Sequence, residues 1–166
     1  MSTRQPKSLR QYLVRSKFTS SPKINIRNSG GLETCKKKCS YHTNGYVQPC
    51  TFFKFGKNNE FRWKYTRLFD CDSKNTIYIL ICARCWKFYI GETNDAKKRI
   101  RKHKSDVNLI QNSNCRSLSL HLRNCSKLTE PFFHFYPIYY VDDQQRRRFI
   151  EKRFIQYYNP PLNSDS

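Results

Sequence analysis

The second half of the sequence carries polar side chains that could bind an anion and move a proton. Tyr78 and Tyr89 lie on the two adjacent strands of a predicted pair, and Arg99 and His103 follow four residues apart. Residues at that spacing share one face of a helix. Arginine donates paired hydrogen bonds to anionic oxygens, whereas histidine and tyrosine exchange protons. Each tyrosine alone is more typical of a hydrophobic core, so only the combination indicates chemistry.

An acidic residue further along the sequence could hold a metal ion. Glu151 lies on the apolar face of a predicted helix that is otherwise strongly basic. A carboxylate is a hard oxygen ligand that suits Mg²⁺ or Mn²⁺. The alternative is a salt bridge to Arg147 or Arg148, about one turn earlier, which is a common arrangement for a glutamate in a helix.

Cysteine and histidine residues around the predicted strand pair have the spacing of zinc ligands. A Cys-x2-Cys pair lies between the two tyrosines, and a His-x3-Cys pair follows downstream. From these pairs we predict one tetrahedral structural zinc site with the ligands Cys82, Cys85, His121 and Cys125. Cys115 is an alternative fourth ligand, and His103 is an alternative third ligand. Two buried free cysteines in a hairpin are the other interpretation.

A second cysteine-rich segment spans residues 35–50 and has less regular spacing. Cys35, Cys39 and Cys50 would be completed by His42 or by Cys71. We predict a second zinc site with the ligands Cys35, Cys39, His42 and Cys50. Metal binding would supply free energy for the folding of this short polar segment. The alternative is a flexible linker with incidental cysteines.

The net charge of the chain indicates which class of molecule the protein is expected to bind. The 166 residues include 32 lysines and arginines against 12 acidic residues, which gives a net charge of +20 at pH 7. Such an excess favours a polyanion, with nucleic acid the first expectation and an acidic membrane surface the second. The sequence contains neither an apolar run long enough to cross a bilayer nor the apolar centre of a secretory signal. We therefore expect reduced cysteines that bind zinc rather than form disulfides.

Local patterns predict the elements that must position these side chains. Three strands are predicted from β-branched and aromatic enrichment, over residues 76–82, 87–93 and 131–141. Two helices are predicted from their N-cap residues, one beginning at Asn94 or Asp95 and the other at Asp142 or Asp143. Residues 117–125 fit either a strand or a helix. We divide the chain into a basic N-terminal segment and linker (1–34), a cysteine-rich zinc-binding segment (35–71) and a main domain (72–166).

Upstream, the patterns are weaker. Residues 8–18 could form a short amphipathic helix through Leu9, Tyr12 and Leu13. Residues 61–69 alternate weakly and predict a strand.

The order of the polar residues resembles the GIY-YIG nuclease superfamily. Its first motif, a tripeptide that ends in tyrosine, matches residues 76–78 (Thr-Ile-Tyr), and its second motif is intact at residues 89–91 (Tyr-Ile-Gly). The family's arginine, its metal-binding glutamate and its closing asparagine match Arg99, Glu151 and Asn163. The threonine that opens the first motif departs from the glycine that the family often has, at a position that serves the backbone more than the chemistry.

The resemblance implies a fold and a set of roles. The fold would be α/β (α+β), a small, mainly antiparallel three-stranded sheet flanked by helices, with a zinc-stapled insertion. The catalytic side chains would be Tyr78, Tyr89, Arg99, His103, Glu151 and Asn163. One tyrosine would act as a base, because a metal and nearby cations lower its pKa, but the sequence does not indicate which one. His103 would assist proton transfer or orient water, and Asn163 would organise the site by hydrogen bonds.

Two stretches look like parts of Penelope-like retroelements. Residues 75–107 look like their endonuclease domain, which has a Cys-x2-Cys pair between the tyrosine motifs, and residues 6–18 with the cysteine-rich segment look like the linker before it. The resemblance implies a metal-dependent DNA endonuclease that nicks or cuts target DNA with Mg²⁺ or Mn²⁺, contains one or two structural Zn²⁺ ions and works in the nucleus.

The partners follow from the same resemblance. Duplex DNA is the expected partner, with RNA or the element's own reverse transcriptase as further partners and no membrane. The alternative is a catalytically inactive, zinc-containing module that binds nucleic acid, and a weaker third reading is RNA binding or cleavage.

Overall fold

The computed structural model describes residues 30–35, 39–109 and 117–163. The expected helix at residues 8–18 and the alternative zinc ligand Cys115 lie outside this part of the chain. The described elements, in chain order, are β1 (Gly31–Leu32), α1 (Ser40–Thr43), β2 (Phe52–Phe55), β3 (Phe61–Lys64), β4 (Leu68–Phe69), β5 (Lys74–Cys82), β6 (Phe88–Asp95), α2 (Ala96–Asn108), α3 (Ser117–Ser126), β7 (Phe133–Tyr140) and α4 (Gln144–Tyr158).

A three-stranded antiparallel sheet in the order β6-β5-β7 forms the centre of the fold. The central strand β5 is buried because it consists almost entirely of apolar residues from Ile77 to Cys82. Opposite residues share a face of an antiparallel sheet, and the register pairs Tyr78 with Gly91 and Leu80 with Tyr89. The predicted α+β fold class and its antiparallel three-stranded sheet are confirmed.

The helices begin at aspartates that the sequence proposed as alternatives. Asp95 caps α2 by accepting a hydrogen bond from the Lys98 backbone N–H at 2.9 Å. Asp143 caps α4 in the same way, with the Arg146 N–H as donor. The ambiguous stretch after residue 117 forms the helix α3, whose buried residues include Leu118 and Leu122. No helix in the described ranges is both long and apolar enough to cross a membrane.

The segment before the sheet packs against it instead of forming a separate core. The hairpin of β2 and β3 places Phe53 on Tyr136 in a stacked arrangement, with ring centroids 4.1 Å apart. Trp63 packs edge-on against Phe154 of α4. The expected strand over residues 61–69 is interrupted, since β3 ends at Lys64 and β4 pairs with β1. One hydrophobic core therefore continues across the predicted boundary at residue 71.

Candidate active site and metal centres

The two motif tyrosines meet over a glycine that has no room for a side chain. Tyr78 is 0% exposed and stacks on Phe135, and its hydroxyl lies 3.0 Å from Nε2 of His103. A Cβ atom on Gly91 would lie 2.5 Å from the Tyr78 hydroxyl and 2.7 Å from the Tyr89 ring. The glycine of the second motif is therefore needed for the phenol of the first motif to reach His103.

Burial controls the proton affinity of Tyr78. Burial raises its pKa well above 10, and the nearby Tyr89 and Glu151 raise it further, while Arg99 lowers it. Arg99 alone does not offset the cost of removing a phenolate from water, so the expected lowering of this pKa depends on a bound metal ion. Tyr89 is only half-buried, and its ring centroid lies 6.3 Å from that of His103.

Glu151 is half-buried, and its carboxyl lies beside Glu92 of β6. Burial raises the pKa of its carboxyl, with Glu92 adding to the effect, whereas a hydrogen bond from the Glu92 backbone N–H and the charge of Arg99 oppose it. The alternative of a salt bridge to the neighbouring arginines is not what the structure has. Arg147 and Arg148 both point to Glu92, with nitrogen–oxygen distances of 2.8 and 3.6 Å.

The outer edge of β6 holds the remaining predicted residues. Arg99 donates from Nη2 to the backbone oxygen of Glu92 at 3.1 Å. Asn163 makes two hydrogen bonds of 2.8 Å to Ile90, one to its backbone oxygen and one from its backbone N–H. Asn163 thus fixes the strand residue that separates Tyr89 from Gly91. All six predicted side chains lie on or beside β5 and β6.

Arg147 and Glu92, which the sequence analysis did not select as site residues, complete this region. Arg147 is 0% exposed, and its Nε donates to the Glu92 carboxylate at 2.8 Å. Its other nitrogens donate to the backbone oxygen of Val141 at 2.7 Å and to the side-chain oxygen of Asn94. A signal was present, because Arg147 lies three and seven residues before Ile150 and Phe154, on the apolar stripe of α4.

Comparison with known proteins identifies the domain. A protein-family model described as the GIY-YIG catalytic domain matches residues 74–163, which is more than half of the chain. The chain belongs to the GIY-YIG family. No curated protein and no solved structure matches the sequence. Membership in this family of nucleases implies nuclease activity and a nucleic-acid substrate, and the match begins at the first residue of β5 and ends at Asn163.

The predicted zinc ligands within the GIY-YIG domain lie together. The ligand atoms of Cys82, Cys85, His121 and Cys125 all lie within 4.8 Å of one another. The Cys85 sulfur and His121 Nε2 are 3.2 Å apart. Burial raises the pKa of Cys82 to about 12 and lowers that of His121, which keeps the imidazole neutral and able to bind metal. Three thiols and one imidazole form a donor set that could hold zinc.

A second such group precedes the GIY-YIG domain, and its membership differs from the prediction in one residue. The ligand atoms of Cys35, Cys39, His42 and Cys71 lie within 4.8 Å of one another. Cys50 lies elsewhere, because its backbone is paired with that of Leu32 through hydrogen bonds of 2.8 and 3.0 Å. The alternative ligand Cys71 takes the place predicted for Cys50.

The imidazole of the second group is oriented for metal binding. Nδ1 of His42 lies 3.0 Å from the backbone oxygen of Val47, so an Nδ1–H tautomer donates there. Nε2 then directs its lone pair toward the cluster, where it accepts from the backbone N–H of Cys35 at 3.1 Å, a bond that a metal ion on Nε2 would replace. The sulfurs of Cys39 and Cys71 are 3.2 Å apart. An outer hydrogen bond that fixes the tautomer is a usual feature of histidine metal ligands.

Proposed function

We propose that this protein is a metal-dependent DNA endonuclease, in which Glu151 holds Mg²⁺ or Mn²⁺ and the reaction is hydrolysis of a phosphodiester bond. The observation that carries the proposal is the state of Glu151. Its carboxyl is half-buried beside Tyr78 and Arg99. Arg147 and Arg148 form their ion pairs with Glu92, and Arg148 acts on Glu151 only through its charge. A carboxylate kept out of ion pairs on its own helix remains available to a hard cation.

The residues of the chain have distinct tasks in this reaction. Arg99, fixed by its bond to the Glu92 backbone, donates to the non-bridging phosphate oxygens as negative charge develops on them. The hydroxyl of Tyr78 donates to Nε2 of His103 when that nitrogen is unprotonated, so the pair can pass a proton from the phenol to the imidazole. Tyr89 is the more exposed tyrosine and is the one placed to contact water or substrate. Asn163 keeps β6 in register.

Metal ions complete the proposed site. A divalent cation on Glu151 would supply positive charge to the phosphate and to the leaving oxygen. Zinc at each of the two cysteine and histidine groups would be structural, since four protein ligands leave no position for water. The Cys-x2-Cys pair between the tyrosine motifs supports an origin in a Penelope-like retroelement, in which the enzyme would cut target DNA in the nucleus.

The decisive experiment is plasmid cleavage by the purified chain with added Mg²⁺ or Mn²⁺. Wild-type protein is expected to give nicked or linear product, and the Glu151→Gln variant is expected to give none. Glu130→Gln is the matched control, because Glu130 is exposed and pairs with Lys104. Since one charge contributes little to a net charge of +20, DNA affinity should stay close to the wild-type value in both variants.

The outcomes separate the proposal from its alternatives. Product from the wild type and from Glu130→Gln, but not from Glu151→Gln, would support an endonuclease with its metal on Glu151. Folded, zinc-containing protein that binds DNA without cleaving it would instead support a non-catalytic binding module. Preferential cleavage of RNA in a parallel assay would change the substrate class.

A further inference from the structure

A groove of about 740 Å³ opens beside β6, at the end of the strand away from Glu92. Three segments line it: the loop 56–60 at the tip of the β2–β3 hairpin, residues 85–88 at the turn before β6, and residues 158–161 at the end of α4. Its volume lies in the range typical of ligand sites, about 300–1,000 Å³. Nothing in the proposed catalytic reaction uses it, although its lining residue Phe88 immediately precedes Tyr89.

The groove is lined by a backbone in unusual conformations. Among the described residues, seven non-glycine residues have positive φ, and four of these line the groove: Asn58, Asn59, Trp86 and Asn159. Asparagine tolerates this region, whereas a bulky residue such as tryptophan is rarely found there. The fold nevertheless holds Trp86 at a φ of 63° and leaves its side chain 56% exposed. Such conformations concentrate at ligand sites because the surrounding structure enforces them.

The chemistry of the lining suits an unpaired nucleic-acid strand. Trp86 is 56% exposed, with its ring centroid 6.2 Å from that of His134, and an exposed indole is a group on which a base can stack. Lys57 and Lys87 offer charges for the phosphates on either side of that base. Asn58 and Asn59 add amide groups that can hydrogen-bond a base edge. Glu60 also lines the groove, so the lysines outnumber the acid two to one. A duplex hides its base faces within the stack, so the exposed ring favours a single strand over a duplex.

We propose that this groove binds a single-stranded segment of nucleic acid, with a base on Trp86 and its phosphates at Lys57 and Lys87. The inference rests on the proposed function, because it names the form of substrate that lies beside the cleavage site. Leu162, which follows the groove residue Pro161, bonds to the Phe88 backbone oxygen at 3.2 Å, and Asn163 bonds to the next outward-facing residue. A strand in the groove therefore lies next to the segment that holds the catalytic tyrosine in place.

The test measures binding and not cleavage, so the two proposals can fail separately. The full chain carrying Glu151→Gln is titrated with a fluorescent oligo(dT) and with a blunt duplex, without added Mg²⁺ or Mn²⁺. Trp86→Ala is expected to weaken oligo(dT) binding by about 5- to 150-fold, from the measured range for stacking of one base. Trp86→Phe should retain most of the affinity. Phe149→Ala is the matched control, because Phe149 is an aromatic residue on α4 that is 60% exposed and lies outside the groove.

A second test changes the two lysines of the groove and leaves Trp86, the neighbour of the predicted zinc ligand Cys85, unchanged. Lys57→Gln with Lys87→Gln should reduce the slope of log affinity against log salt for oligo(dT) by about 1.4, since each phosphate contact in a single strand contributes about 0.7. Lys54→Gln, at an exposed position on β2 outside the groove, is the control. Equal losses for Trp86→Ala and Phe149→Ala, or an equal loss of duplex affinity in Trp86→Ala, would overturn the proposal. The proposal of a single-strand site would then be wrong even if plasmid cleavage were unchanged.

Discussion

Replacing Arg147 with methionine is expected to destabilise the protein by about 3–5 kcal/mol, the usual result of removing one partner of a buried ion pair. The side chains of Arg147 and Glu92 are 1% and 15% exposed, so the carboxylate would keep little of its hydration once the guanidinium is gone. The backbone oxygen of Val141 would lose its donor as well. For a chain of this size each kcal/mol shifts the melting temperature by about 2–4 °C, so the expected fall is roughly 6–20 °C.

The adjacent arginine provides a matched control. Arg148 approaches the other oxygen of Glu92 at 3.6 Å, but its side chain is 62% exposed. Exposed pairs contribute about 0–1 kcal/mol, so Arg148→Met should lower the melting temperature by no more than about 4 °C. The two variants make the same chemical change, so the contrast compares a buried guanidinium that has several hydrogen-bond partners with an exposed one that has a single, longer ion pair.

A double variant separates the cost of the unpaired charge from the loss of packing. Adding Glu92→Gln to Arg147→Met removes the carboxylate, which would otherwise keep only the exposed Arg148 as its partner, so the double variant should be more stable than Arg147→Met alone. Urea unfolding and thermal unfolding of the three variants and the wild type measure the cycle. Equal stability of Arg147→Met and Arg148→Met would refute the reasoning, as would a double variant less stable than Arg147→Met.

Three further outcomes are expected. Gly91→Ala should cost about 1–3 kcal/mol and most of the cleavage activity in paired unfolding and plasmid assays, because its Cβ would lie 2.5 Å from the fully buried Tyr78 hydroxyl. Metal analysis of Cys71→Ser should find one zinc ion fewer than in the wild type, whereas Cys50→Ser should retain the wild-type content. Burial raises the pKa of Glu151, so in metal-free protein its contribution to stability is present at low pH and is lost as pH rises through the raised pKa. Urea unfolding should show wild type losing stability relative to Glu151→Gln as pH rises above the ordinary glutamate pKa of about 4.3, and a constant difference would contradict the shift.

Local chemistry explains which parts of this fold could be predicted from the sequence. The strands β5 and β6 follow from consecutive β-branched and aromatic residues, and the starts of α2 and α4 follow from aspartates at capping positions. These features depend on residues within a few positions of one another. The order of the motif residues then indicated the family. The family match confirms this, since it spans the segment that contains all six of them.

What the sequence did not indicate depends on contacts between distant segments. The spacing placed Cys50 in the second group and left Cys71 only as an alternative to His42, and the pairing of Cys50 with Leu32 is what removes Cys50 from the cluster. The partner of Arg147 is Glu92, 55 residues away, although a nearer acid lies in its own helix. The raised pKa of Tyr78 follows from burial by several elements, which a list of neighbouring charges cannot supply.

The arrangement along β6 also bears on self-association. A strand at the border of a sheet exposes unpaired backbone groups that can recruit a strand from another molecule. Here the outward-facing backbone groups of β6 at Phe88, Ile90 and Glu92 are already hydrogen-bonded. Their partners, in order along the strand, are Leu162, Asn163, Arg99 and Glu151. The same contacts that position the candidate catalytic residues therefore protect the protein from edge-to-edge aggregation. Variants that release the segment around Asn163 would lose solubility together with activity.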